Sequence, residues 1–76
     1  MDAMKELVKI FREVFDDEEI NLSDETTASD IDGWDSLSHV NLILVIEKKF
    51  NIKFATKELL TFENVGDLRR SIESKI

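Results

Sequence analysis

One serine stands where the sequence changes from polar to apolar. Ser36 follows a stretch rich in Asp, Asn, Ser and Thr and precedes a long run of apolar residues. Asp35 can accept hydrogen bonds from the free amides at a helix start, so it is a predicted N-cap and places Ser36 in the first turn. A hydroxyl there lies near solvent, and the free backbone amides around it favour a phosphate group. The position therefore suits modification through a phosphodiester.

A histidine close to this serine raises the alternative of a serine hydrolase. His39 follows Ser36 by three residues and could share its helix face. Nucleophilic catalysis also needs a group that orients the base, an oxyanion hole and a substrate cleft. A chain of 76 residues with a single histidine offers little of that. We interpret His39 as a surface residue and expect a protein without catalytic residues.

The acidic residues before the serine raise a second alternative, a calcium site. Asp30, Asp32 and Gly33 align with the third, fifth and sixth positions of an EF-hand loop. Ala28 would then take the first position and His39 the twelfth, where a bidentate glutamate belongs. The sequence therefore predicts no specific metal site, and only weak association of divalent ions with the acid-rich loop stays open.

The composition favours one small helical domain. The chain has 76 residues, no cysteine and no proline, and 42% of its residues are hydrophobic. A domain this short hides only ~60% of its unfolded surface, and without cysteines it has no disulfide or thiolate metal site to stabilise it. Helix packing must supply the stability. We predict a single all-α domain over residues 1–76.

The net charge of the chain limits the classes of partner that it can bind. The net charge is −7, and residues 1–35 hold twelve acids and three bases whereas residues 36–76 hold five acids and seven bases. Such acidity disfavours nucleic acid and anionic bilayers and favours basic protein surfaces. The longest apolar run, Leu42 to Ile46, is far shorter than the ~20 residues of a membrane span. The acidic start of the chain does not resemble a signal peptide, so we expect a cytoplasmic protein, as a monomer.

The first third of the chain reads as a helix followed by a long loop. Apolar residues at steps of three and four predict an amphipathic helix over about residues 3–16. The four acids from Asp16 to Glu19 help to stop it, because the negative end of the helix dipole disfavours them. The polar stretch up to Asp35 is a predicted loop. Three apolar residues should hold this loop against the core: Ile20, Leu22 and Ile31.

The rest of the chain reads as two long helices and a short one. Apolar residues surround most of the second helix, which ends near Lys48, Lys49 and Asn51, so we expect it at the centre of the fold. Residues 56–60 allow a short third helix that Thr56 could cap. The fourth helix covers about residues 65–75, with Asn64 and Asp67 as a capping pair. The predicted fold is a bundle of three main helices and one short helix, with a long first loop.

These features together resemble a known family. Asp35-Ser36-Leu37 at the start of an apolar helix, in an acidic chain of this size, resembles the acyl carrier proteins. The resemblance covers the whole chain, including the long first loop and the phenylalanine that closes the second helix, Phe50. The fuller string from Gly33 to Leu37 is similar to discrete carriers of polyketide and nonribosomal peptide pathways.

The resemblance implies a carrier with a prosthetic group. A phosphopantetheinyl transferase would move phosphopantetheine from coenzyme A to Ser36. The thiol of that arm would hold an acyl or aminoacyl group as a thioester and offer it to an acyl-loading enzyme and to synthase or transferase enzymes with basic docking surfaces. The pathway would be of the fatty acid, polyketide or nonribosomal peptide type. The alternative from the composition alone is a small helical interaction module without a prosthetic group.

The resemblance also implies a docking surface on the second helix. Leu37 is the strongest candidate for a partner contact, whereas burial in the core competes for Val40 and Leu44. Fatty acid carriers usually have more acids along this helix, so we expect weaker binding to fatty acid enzymes and a role in a specialised pathway. The residues implied in docking are Asp35, Leu37, Val40, Leu44 and Glu47.

An acyl pocket is the last feature that the resemblance implies. The family often lines this pocket with smaller aliphatic side chains, so the bulk of Phe54, Leu59 and Phe62 could fill it. Ordinary core packing without a pocket is the alternative for the same residues. The implied pocket residues are Ile46, Phe54, Leu59, Phe62 and Leu68.

Overall fold

The protein is a bundle of four helices. The computed structural model describes residues 2–59 and 61–76, and within these ranges it contains no strand. The helices are α1 (Ala3–Val14), α2 (Ser36–Phe50), α3 (Thr56–Leu59) and α4 (Val65–Glu73), and a short 3₁₀ helix spans Ala28–Asp30. The predicted all-α fold with three main helices, one short helix and a long first loop is therefore confirmed.

Local hydrogen bonds determine where α1 begins and ends. The Asp2 carboxylate accepts from the backbone N–H of Met4 at 3.1 Å and caps the helix. The predicted end at residue 16 is two residues too late, because Asp16 adopts a left-handed conformation (φ 50°). The backbone N–H of Asp17 then donates to the Arg12 carbonyl at 3.1 Å, which is the pattern of a Schellman motif.

The core corrects our expectation that the second helix is central. The helix with the most extensive packing is α1, which contacts both α2 and α4. It buries Leu7 and Phe11 completely. In contrast, α2 turns one face inward and leaves another uncovered. The inward face carries Leu42, Ile43, Ile46 and Phe50.

The loop between α1 and α2 is held to the core as predicted, since Ile20 and Ile31 are buried and Leu22 is half-buried. The 3₁₀ helix within it was not predicted. Its capping box joins Thr27 and Asp30, whose carboxylate accepts from the Thr27 backbone N–H at 2.9 Å. A threonine followed three residues later by an acid was the available signal, although Asp is a weaker partner than Glu there.

The same loop is fastened to α4. The backbone N–H of Val65 donates to the Thr26 carbonyl at 2.8 Å, and that of Gly66 donates to the Asp24 carbonyl at 2.9 Å. The Arg69 guanidinium donates twice to the Asp24 carboxylate, at 2.9 and 3.0 Å. These hydrogen bonds hold the pKa of Asp24 below its usual value. The polar loop therefore has a defined position.

The last two helices agree only in part with their predicted caps and ends. Thr56 is the first residue of α3, and not its cap, because the Ala55 carbonyl accepts the N–H of Glu58 at 2.9 Å. The predicted end at Leu60 lies outside the described residues. For α4 the predicted cap is confirmed, since Asn64 Oδ1 accepts from the Asp67 N–H at 2.9 Å. This helix ends at Glu73, two residues before the predicted end.

We expect the substitution Gly66→Ala to destabilise the protein, although alanine favours helices by up to ~1 kcal/mol over glycine. A Cβ at residue 66 would lie 2.9 Å from both Cβ and the carbonyl oxygen of Asp24, so the loop must shift. Overpacking of this kind costs roughly 1–3 kcal/mol. The free energy of unfolding, measured by urea titration with circular dichroism, should fall by up to about 2 kcal/mol. An increase in stability would show that the loop does not lie against Gly66.

Candidate functional site

The start of α2 is fixed by a reciprocal pair of hydrogen bonds. The Asp35 carboxylate accepts from the Ser38 backbone N–H at 3.0 Å, and the Asp35 N–H donates to Ser38 Oγ at 2.8 Å. This is a capping box, and these bonds to Ser38 lower the pKa of Asp35, so the cap is ionised at neutral pH. The sequence predicted Asp35 as the cap but missed Ser38, whose position three residues later was the signal.

A glycine turns the chain into this helix. Gly33 has φ +88°, a conformation that side-chain-bearing residues rarely adopt. Its carbonyl accepts from Ser38 Oγ at 2.6 Å, so the turn and the first turn of α2 are joined directly. A Cβ at this position would meet Phe15 at an ordinary 3.7 Å, so the backbone conformation, and not space, requires glycine.

Ser36 is displayed at the tip of α2. It is exposed, it is the first residue of the helix, and its Oγ has no hydrogen-bond partner among residues 2–59 and 61–76. The positive end of the helix dipole and the free amides of the first turn surround it. A phosphodiester on this oxygen fits the site because the oxygen is unengaged and the surrounding amides favour negative charge.

A cleft of about 380 Å³ opens beside Ser36. Three of the predicted pocket residues, Leu59, Phe62 and Leu68, line it. The other two lie elsewhere: Ile46 is completely buried in the core, and Phe54 packs edge-on against Phe62 with ring centroids 5.7 Å apart. The bulky side chains therefore leave a cleft open next to the serine.

A tryptophan and a histidine form the wall of the cleft nearest to Ser36. Trp34 Nε1 donates to His39 Nδ1 at 3.0 Å, and both side chains line the cleft. His39, which we interpreted as a surface residue, is only partly exposed, and its burial lowers its pKa. Sequence reasoning missed the contact because His39 was considered as a base for Ser36 and as a position of a calcium loop, and not as a partner of Trp34.

The outer face of α2 carries an apolar strip, which we define as Leu37, Val40 and Leu44. Their exposed fractions are 84%, 59% and 59%, so the competing expectation that Val40 and Leu44 are buried does not hold. Asp35 lies exposed at one end of the strip. Glu47 is half-buried, and its carboxylate accepts from the Phe54 backbone N–H at 2.8 Å. The fifth predicted docking residue thus also holds the segment after α2.

Long-range hydrogen bonds position α3 beside the cleft. The Glu58 carboxylate accepts from Ser71 Oγ at 2.7 Å and from Lys75 Nζ at 2.9 Å, both in the C-terminal part of the chain. These bonds hold the pKa of Glu58 below its usual value. They place the adjacent Leu59 at the cleft. No local pattern in the sequence indicates this connection.

The described parts of the chain contain neither a membrane-spanning helix nor a cluster of metal-binding side chains. Residues 2–59 and 61–76 contain no helix long and apolar enough to cross a membrane. The same ranges hold no group of three or more histidine or acidic side chains arranged for a metal ion. Asp30, considered for a calcium loop, instead accepts hydrogen bonds from the backbone and side chain of Thr27.

The chain is similar to known proteins in both sequence and structure. The family model described as the phosphopantetheine attachment site matches residues 5–72. The chain is also similar to the holo acyl carrier protein from Geobacter metallireducens, solved by solution NMR. The two are 52% identical over 99% of this chain and 86% of that chain, with a TM-score of 0.93. The curated proteins gave no match.

The family match spans most of the chain, and the similar carrier shares its helices as well as half of its residues. Both agree with the exposed serine at the capped start of α2. This chain therefore belongs to the acyl carrier proteins, the family that carries covalently attached phosphopantetheine.

Proposed function

We propose that the protein holds acyl or aminoacyl groups on a phosphopantetheine arm attached to Ser36 and presents them to successive enzymes of a fatty acid, polyketide or nonribosomal peptide type pathway. The observation that carries this proposal is the unengaged Ser36 hydroxyl at the capped tip of α2. The thiol of the arm supplies thioester chemistry. The role of the chain is to anchor and present the cargo, without catalysis.

Attachment of the arm requires one displacement at phosphorus. The Ser36 oxygen loses its proton and forms a bond to the pantetheine-bearing phosphorus of coenzyme A, while the pyrophosphate bond breaks and the nucleotide leaves. A phosphopantetheinyl transferase supplies the catalysis. Asp35 and Ser38 contribute by holding the first turn of α2 in place, so that the oxygen is presented in one orientation.

The apolar strip is the proposed contact for partner enzymes. Three exposed aliphatic side chains on one helix face offer area that a partner can bury, and Asp35 beside them can pair with a basic residue. Glu47 is the only acid within α2, and its carboxylate accepts from the Phe54 N–H. The side chain of Lys48 is exposed nearby and adds positive charge. We therefore propose that binding depends more on apolar contact than on charge, which suits enzymes of a specialised pathway.

The cleft beside Ser36 is the proposed place for the first part of the cargo. Leu59, Phe62 and Leu68 give it an apolar wall. Ile46 and Phe54 do not line it, and they would take part only if α3 moved away from α4. A short or medium acyl chain is the cargo that this volume favours.

We expect Ser36→Ala to abolish modification. Incubation of the unmodified wild-type protein with coenzyme A and a broad-specificity transferase should add one phosphopantetheinyl group, seen by intact-mass spectrometry. The alanine variant should keep its mass, because no oxygen remains to form the phosphodiester. Loss of loading should occur without loss of folding, since Ser36 Oγ makes no hydrogen bond within the described residues.

The matched control is Ser38→Ala, which removes the nearest other hydroxyl. This variant should be less stable by ~1 kcal/mol because the capping box is broken, but it should still be modified. Modification of the Ser36→Ala protein, or an unchanged wild-type mass, would refute the assignment. In the second case a helical interaction module without a prosthetic group would be the better description.

The variants Leu37→Ala and Leu42→Ala should distinguish an effect on partner docking from an effect on stability. Leu37 is 84% exposed, so its loss should change the free energy of unfolding by under ~0.5 kcal/mol but slow the transferase reaction. Leu42 is 0% exposed, so its replacement should cost roughly 2–5 kcal/mol of stability. Loading assays quenched at fixed times measure the rate of the transferase reaction, and urea titrations measure the free energy of unfolding. Equal loading rates for wild type and the Leu37→Ala protein would show that Leu37 is not part of the docking surface.

The charge argument predicts weak binding to a fatty acid ketosynthase. Calorimetric titration of the loaded carrier at several salt concentrations should give low affinity with a shallow dependence on salt, because the α2 face has few acids. The Lys48→Glu protein should bind the ketosynthase more tightly than the wild type does at low salt. Tight, strongly salt-sensitive binding of the wild type would instead assign the protein to general fatty acid synthesis.

A further inference from the structure

The proton on the His39 ring has a defined place. An indole N–H can only donate, so His39 Nδ1, 3.0 Å from Trp34 Nε1, must accept with its lone pair. Burial lowers the pKa of His39 from its ordinary 6.5, so the neutral ring dominates at pH 7. A neutral imidazole that accepts at Nδ1 carries its proton on Nε2. His39 Nε2–H is therefore a hydrogen-bond donor.

This donor is held rigidly. Trp34 packs edge-on against Phe11 with ring centroids 5.1 Å apart, and Phe11 is completely buried in the core. Phe15, whose ring centroid is 5.6 Å from that of Phe11, also packs against the indole at 6.4 Å. The indole is thus fixed by the core, and its hydrogen bond orients the imidazole. A donor oriented before binding loses little freedom when it meets an acceptor.

The donor lies within reach of a group on Ser36. His39 follows Ser36 by three residues on α2, a spacing that puts Cβ atoms about 5–6 Å apart on one helix face. Both residues line the cleft. The hydrogen bond from Trp34 is the one that the His39 side chain makes among residues 2–59 and 61–76, so Nε2–H has no partner there. A flexible chain tethered to Ser36 can therefore bring an acceptor to this nitrogen.

The surroundings select the kind of acceptor. Asp35 and Glu63 also line the cleft, so their carboxylates disfavour an anionic group. Leu59 and Phe62 provide apolar contact next to the donor. Asn64 uses its Oδ1 to accept from the Asp67 N–H, which leaves its amide nitrogen as a second donor at the cleft. The chemistry fits a neutral carbonyl oxygen flanked by methyl or methylene groups.

We propose that His39 Nε2–H donates to an amide carbonyl oxygen of the phosphopantetheine arm and holds the arm along the cleft. This proposal rests on the attachment of the arm at Ser36. An amide carbonyl is neutral, is a strong acceptor and is part of the arm whatever cargo it carries. The bound arm would then keep its thiol end near the apolar wall until a partner enzyme draws it out.

The single tryptophan and the single histidine make the test direct. In ¹⁵N-labelled protein, conversion from the unmodified to the modified form should shift the signals of Trp34 Nε1 and His39 Nε2. An arm labelled with ¹⁵N at its amides should show restricted motion in relaxation measurements. The His39→Leu protein should lose this restriction, and His39→Gln, which retains an N–H donor, should recover part of it.

Asn41→Leu is the matched control, since this residue is exposed on the same helix and does not line the cleft. It should leave the motion of the arm unchanged. The intact mass reports attachment of the arm independently. A mass increase without shifts of the Trp34 and His39 NMR signals would overturn this proposal alone. The absence of a mass increase would overturn both this proposal and the proposed function. Shifts that appear only after loading with a 3-oxoacyl group would assign the acceptor to the cargo and overturn the role of the arm.

Discussion

The reciprocal hydrogen bonds between Asp35 and Ser38 are the constraint on which the functional end of the molecule depends. They set the residue at which α2 begins, and so they decide that Ser36 stands in its first turn with its oxygen unengaged. Gly33 extends the constraint, because its left-handed backbone and its bond from Ser38 fix the direction of entry. A helix that began one residue later would make Ser36 the N-cap, where its oxygen would accept from a backbone N–H and would no longer be unengaged.

The rest of the bundle supports this end from two directions. In the core, Phe11 of α1 packs against Trp34, the residue just before the Asp35 cap. This aromatic contact links the start of α2 to the core. From the side, the first loop is fastened to α4 through Asp24, Thr26 and Gly66. A polar segment of this length would otherwise be the least ordered part of the fold. Its fixed position lets the cleft have a defined wall at Ala28.

Local signals in the sequence were sufficient for some features. Helical spacing located the four helices to within two residues at the ends that the structure describes, and the caps at Asp35 and Asn64 follow from side chains next to the helices they begin. Features that depend on distant residues could not be predicted. The exposure of Val40 and Leu44 is one example, because hydrophobicity does not say which apolar face a small bundle leaves uncovered.

The site shows the same division between local and distant causes. Ser36 stands out from its neighbours alone, whereas the half-burial of His39 requires Trp34 to be held by Phe11, from another helix. The cleft likewise depends on Glu58, whose partners Ser71 and Lys75 lie far along the chain. Thr56 was a plausible cap by residue type, but the chain turns one residue earlier, at Ala55.

The attachment of α3 to α4 through Glu58 has a mechanical consequence. The short helix is tied to α4, whereas the apolar strip lies on α2, to which the Glu58 carboxylate makes no hydrogen bond. On the proposed function, the cleft that would take the cargo and the strip that would meet an enzyme are therefore formed by different residues of the fold.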